Sequence, residues 1–148
     1  MKKFFFAKTL IFYLLFISSV LTAQSSYFEE GIILYEEKKF DESKILFERD
    51  IVFNPKSEKS YLYLAKIFEE VNNEEEEEIN LKTVLLLNPK NDEAIYMLIL
   101  LKIKQSDYNQ TKELIDQFSL ICKSFCLKEN EIQEKFRKLI PENAKADN

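Results

Sequence analysis

Residues 54 to 90 read NPKSEKSYLYLAKIFEEVNNEEEEEINLKTVLLLNPK, and the tripeptide Asn54-Pro55-Lys56 that opens them recurs at their end as Asn88-Pro89-Lys90. Between the two marks the apolar residues recur three and four apart. This predicts one helix near Glu58 to Val71 and a second near Glu75 to Leu87, parted by Asn72-Asn73. Proline cannot donate to a helix ladder and pushes the residue before it out of helical geometry, so each Asn-Pro closes a unit. The stretch is a helical hairpin bounded by two identical stops.

Working outward, the 34-residue period extends in both directions. Tyr27 matches Tyr61, Leu34 matches Phe68, Phe47 matches Leu81 and Ile51 matches Leu85, while Gly31 matches the small Ala65. A looser copy starts at Asp92, with Ile95, Leu98, Tyr108, Ile115 and Phe118 in register; it lacks the closing Asn-Pro, and Ile99 stands where a small residue is expected. The first copy divides into helices over Tyr27 to Tyr35 and Phe40 to Phe53, with Asp41 as the expected cap of the second. The third divides into Asp92 to Lys104 and Tyr108 to Ile121 around Ser106-Asp107. Beyond it Ile132, Phe136, Leu139 and Ile140 share one helical face opposite Glu129, Glu131, Glu134, Lys135 and Lys138. A stack of helical hairpins leaves its last apolar face bare, so residues 124–140 are expected to supply a capping helix. Pro141 ends that helix, and residues 141–148 are expected to form a frayed tail.

Composition agrees with a helical reading and excludes several functions. The 148 residues include one glycine, no histidine and three prolines (Pro55, Pro89, Pro141). A glycine-rich phosphate loop is therefore excluded, and a many-stranded sheet is disfavoured. The commonest general base and commonest transition-metal ligand are missing. At 46% apolar and 32% charged residues the chain is nevertheless globular.

Residues 1–23 are read as an export signal. Lys2, Lys3 and Lys8 give a positive start, Leu10 to Leu21 is an uncharged apolar run, and Thr22-Ala23-Gln24 offers a small-residue exit. An uncleaved membrane anchor is the alternative, since a snorkelling Lys8 would let Phe4 to Phe6 lengthen the run toward the ~20 residues of a span. Cleavage removes three lysines and leaves 18 basic against 26 acidic residues, a net charge near −8. So acidic a chain is poorly suited to nucleic acid, which needs clustered Lys and Arg.

The 34-residue helix-turn-helix unit resembles the tetratricopeptide repeat over residues 24–123, divided as 24–57, 58–91 and 92–123. Tyr27, Gly31, Phe40, Phe47 and Pro55 meet the family pattern in the first copy, and Tyr61, Leu64, Ala65, Phe68 and Pro89 in the second. Ser43 and Glu77 stand where alanine is usual, and Glu74 where an aromatic is. The resemblance implies an all-α fold, a right-handed stack (α-solenoid) of about three hairpins plus the cap. It also implies that the first helix of each copy lines a concave groove. That groove would present Phe28, Ile32 and Tyr35, then Leu62, Lys66 and Glu69, then Tyr96, Leu100 and Ile103. Apolar stripes of this kind mark partner sites or pack against neighbouring helices or a second copy of the chain. The basic clamp of chaperone-tail binders is missing, because its positions hold Phe28, Ile32, Tyr63, Glu93 and Met97.

Other candidates carry less. Residues Glu74 to Glu78 offer five carboxylates, but consecutive helical residues splay around the axis, so the run is expected to serve the helix N-terminus rather than a metal. Cys122 and Cys126, the only cysteines, form a disulfide at a helix break, remain two packed thiols, or act as a reactive pair. No catalytic arrangement and no cofactor site is found. The expectation is a non-enzymatic scaffold, exported to a bacterial periplasm or beyond, that binds a protein or peptide and no nucleic acid. It would touch a membrane only if the first segment is retained, as in an anchored structural subunit of an envelope complex.

Overall fold

The computed structural model describes residues 24–139; the proposed export segment, Ile140 and the tail lie outside them. Among the described residues there is no strand. The helices are α1 (Gln24–Glu36), α2 (Phe40–Phe53), α3 (Glu58–Glu70), α4 (Glu74–Leu87), α5 (Asp92–Lys104), α6 (Tyr108–Ile121) and α7 (Glu129–Leu139), the last preceded by a 3-10 turn at Cys126–Lys128. Contacts divide the chain into two compact units, with the boundary inside α3 between Tyr63 and Leu64.

The turn within every hairpin is built alike, and not with glycine. Lys38, Asn72 and Ser106, which share one repeat position, adopt left-handed φ values of 59°, 55° and 59°. At each, two amides fold back on the preceding helix: Lys38 and Lys39 donate to the carbonyls of Tyr35 and Leu34, Asn72 and Asn73 to Glu69 and Phe68, and Ser106 and Asp107 to Ile103 and Lys102. This paired closure satisfies carbonyls that a helix end leaves open. Asn73 and Asp107 then cap α4 and α6 by accepting from the amides of Glu76 and Gln110. The expected cap Asp41 does not act so; α2 starts at Phe40 as expected, with Lys39 at the cap position and no side-chain cap bond. Asp41 lies in the first turn instead, where its charge meets the helix dipole.

In the first unit α1 packs on α2. An ideal Cβ built on Gly31 would lie 2.8 Å from Cε1 of Phe47, so the single glycine permits close approach rather than a turn. The Ser43 hydroxyl donates to the Gly31 carbonyl at 2.8 Å. Phe47, fully buried, stacks on Tyr63 with ring centroids 5.0 Å apart and meets Phe28 at 5.8 Å. The buried Asp50 carboxylate accepts from the Ser60 hydroxyl.

In the second unit Ile95, Ile99, Ile115, Phe118, Ile132 and Phe136 form one core joining α5, α6 and α7. Ile99 is fully buried there, so the bulky residue at the position held by Gly31 and Ala65 serves as core rather than as a point of close approach. The α6–α7 connection is fastened twice. Cys122 and Cys126 are joined by a disulfide, their Cα atoms 5.2 Å apart. Asp92, at the start of α5, accepts through Oδ2 from the amides of Lys123, Ser124 and Phe125 at 2.7, 2.6 and 3.1 Å. Burial pushes the Asp92 carboxyl up, but these amide donors outweigh it and hold it below its ordinary range.

Candidate partner-binding surface

In the first unit, two of the side chains assigned to the groove meet other aromatic rings. Phe28 and Tyr35 both meet the Tyr63 ring edge-on, at 5.8 and 5.3 Å, and Tyr35 also meets Phe40 at 5.6 Å. Ile32 is half-buried and Leu62 is buried. Of the repeat-defining residues, Tyr27 stacks on Phe53, while Pro55 is exposed.

In the second unit two of the assigned residues are partly buried. Tyr96 and Ile103 pack against the core shared with α7. The Tyr96 ring meets Phe125 at 5.5 Å and its hydroxyl donates to Glu131 at 3.4 Å, so this side chain helps to hold the cap. The cap covers the face that repeat register alone leaves open. Lys66 is paired with Glu93 at 2.6 Å, while Tyr61 is half-buried, Ala65 and Phe68 are buried, and Pro89 is exposed. Glu69 and Leu100 remain, and these two meet at one cleft of about 320 Å³, lined also by Asn72, Glu77, Leu101, Lys104 and Lys135.

The acidic run builds one wall of this region. Its members divide by helical angle. Glu74 pairs with Lys104 at 2.9 Å; Glu78 pairs with the buried Lys102 at 2.7 Å and with Lys82 at 2.6 Å. Glu75 and Glu76 face solvent. Burial pushes the Glu78 carboxyl up, but the two ammonium donors hold it below its ordinary range. Glu77 differs from all of them. It is only 4% exposed, and burial, reinforced by the charge of Glu69, pushes its carboxyl up to about 7. It occupies the repeat position of Ser43 and Thr111, both buried and both bonded to backbone carbonyls. Among the described residues no group of three or more acids, cysteines or histidines is placed to hold a metal ion.

A second period in each unit's own exposed residues lies on the second helices. Val52, Leu86 and Leu120 are 75%, 82% and 87% exposed and share one repeat position on the second helices of successive hairpins; Ile45 and Ile79 repeat in the same way. Reading only the first helices for binding concealed this period.

No family model matches the chain, and no curated protein matches it. Solved structures do. The tetratricopeptide domain of Arabidopsis OM64 superposes with a TM-score of 0.72 at 17% identity, over 80% of this chain and 98% of that one. The fold is a tetratricopeptide-like helical repeat. A chain of the CopN-Scc3 complex is similar with a TM-score of 0.65 at 15% identity, over 80% of this chain and 69% of that one. At these identities the likeness carries the repeat fold and leaves the partner to be argued from this chain's own residues.

Proposed function

We propose that the protein is an exported, non-enzymatic scaffold that binds a protein or peptide partner. The observation that carries this reading is the cleft of the second unit, where Glu69 and Leu100, both placed on a binding groove by the resemblance to the tetratricopeptide repeat, meet beside the buried Leu101 and Glu77. A concave site in which two leucines sit among Glu69, Asn72, Glu77, Lys104 and Lys135 suits a partner's side chain with an apolar stem and a polar end. One of the solved structures of like fold is a chain of the CopN-Scc3 complex, which agrees with a role in protein association. Export is supported by Lys2, Lys3 and Lys8 ahead of the apolar Leu10 to Leu21, and by the Cys122–Cys126 disulfide, a bond favoured in oxidising compartments.

The test is photo-crosslinking in the native envelope, from a benzoylphenylalanine placed at Leu100, with N-terminal sequencing of the same material. A discrete cross-linked protein and a mature start near Gln24 are expected. A fold-competent variant that cross-links nothing overturns the scaffold reading, and a retained N-terminal segment overturns cleavage.

A further inference from the structure

The cleft of the second unit has an asymmetry in how its charges are satisfied. Both lysines that line it are engaged by acids outside the lining: Lys104 by Glu74 at 2.9 Å, and Lys135 by Glu131 at 3.2 Å. Lys104 also donates to Asn72 Oδ1 at 3.3 Å. The two acids that line it, Glu69 and Glu77, have no hydrogen bond or ion pair to their carboxylates among the described residues. No sealed side-chain oxygen is left without a partner, so the Glu77 carboxylate opens to the cleft rather than into packed core. Its place in the fold is otherwise that of a small or hydroxyl-bearing residue. Within the acidic run Glu75 and Glu76 are solvated and Glu74 and Glu78 are ion-paired, so Glu77 alone is both buried and without a paired cation.

We propose that this cleft receives the cationic side chain of an arginine presented by the partner, its stem on Leu100 and Leu101 and its guanidinium between Glu77 and Glu69. The inference rests on the scaffold reading above and specifies the partner's chemistry. A planar guanidinium matches a carboxylate with paired hydrogen bonds and is less strongly hydrated than an ammonium, which suits a nearly enclosed acid. An anion would have to displace Glu74 or Glu131 from the lysines and would face two carboxylates. A hard divalent cation wants six or more oxygen ligands, and two carboxylates with one amide supply too few.

The groups facing Glu77 set the pH dependence. They are Glu69 from α3, Glu74 and Glu78 from its own helix, Lys104 from α5, and Lys135 of α7 across the cleft. Burial and then Glu69 hold the Glu77 carboxyl at about 7; burial and then Glu70 push Glu69 up as well. A bound guanidinium stabilises the ionised acids, so binding releases a proton near neutrality and tightens as pH rises through about 7.

The experiment titrates the full chain with N-acetyl-arginine methylamide, following the leucine methyl resonances of Leu100 and Leu101 and the carboxyl carbon of Glu77. The neutral citrulline analogue and the anionic glutamate analogue run in parallel. The expected result is saturable binding of the arginine probe at least fivefold tighter than citrulline at pH 8, weakening up to about tenfold at pH 6 as an acid with a midpoint near 7 is protonated. E77Q should weaken the arginine probe at least fivefold and leave citrulline unchanged. Equal binding of arginine and citrulline, or tightest binding of glutamate, overturns the proposal. If Leu100 cross-links a protein but arginine does not bind, the scaffold stands and the cationic ligand falls. Arginine binding with no cross-linked protein supports the cleft chemistry and overturns the scaffold.

Discussion

Replacing Gly31 by alanine tests the hairpin geometry most directly. In an exposed helix interior this change stabilises by roughly 0.5–1 kcal/mol, because alanine has less chain freedom to lose. Here the new methyl carbon would lie 2.8 Å from Cε1 and 3.1 Å from Cδ1 and Cζ of Phe47. The ring has little room to retreat: Phe47 is fully buried, stacked on Tyr63 at 5.0 Å and tilted against Phe28 at 5.8 Å. Overpacking of this kind costs about 1–3 kcal/mol. Separation of α1 from α2 would also lengthen the 2.8 Å bond from Ser43 to the Gly31 carbonyl. The expected net effect is a loss of about 1–2 kcal/mol, after the propensity gain. Urea denaturation of the full chain measures it, and Phe47→Leu in the same background provides the control. Removing the ring should make Gly31→Ala harmless, giving a coupling of about 1 kcal/mol or more in the double-mutant cycle. A stabilised Gly31→Ala variant, indifferent to the residue at 47, would refute the close-approach argument.

Three further outcomes are expected. Lys38→Gly and Ser106→Gly should each raise stability by about 0.5–1 kcal/mol by relieving a left-handed side-chain-bearing residue, read as a higher urea midpoint; an unchanged or lower midpoint counts against the turn assignment. Glu77→Gln should be near neutral at pH 4 and stabilising by about 1–3 kcal/mol at pH 8. The folded-state pKa lies above the ordinary carboxylate value, so wild-type stability falls as pH rises from about 4.5 to about 7, and a pH-independent difference would contradict the buried acid. Asp92→Asn should behave oppositely, costing about 1–2 kcal/mol at neutral pH. The Asp92 carboxyl is held down, so its contribution is present above its unfolded value and disappears as acid takes pH through the folded one; a variant gap that persists at pH 2 would argue against the amide cradle.

Helix positions were legible because punctuation and period agree: Asn-Pro marks, polar hairpin turns and apolar spacing all repeat in one register. The first hairpin departs from the sequence reading at its cap, because Asp41 looks suitable while the turn is closed by backbone bonds at Lys38 and Lys39. The binding face was harder. Register assigns Tyr96 and Ile103 to the same face as Leu100, but whether that face stays open depends on α7, which lies outside the repeat. Glu77 is indistinguishable from its four neighbours by composition. Its inward direction was nonetheless written in the alignment, since Ser43 and Thr111 occupy the same position and neither is a surface residue.

The doubled fastening of the α6–α7 connection has a consequence for durability. A reductant opens the Cys122–Cys126 bond and leaves the Asp92 cradle untouched; acid protonates Asp92 and leaves the sulfurs joined. The two restraints fail under unrelated insults. A chain that met either one alone would keep the other restraint on the cap that covers Ile95, Ile99 and Phe118, and their coincidence would leave the packing of Ile132 and Phe136 to shield that surface from aggregation and proteolysis.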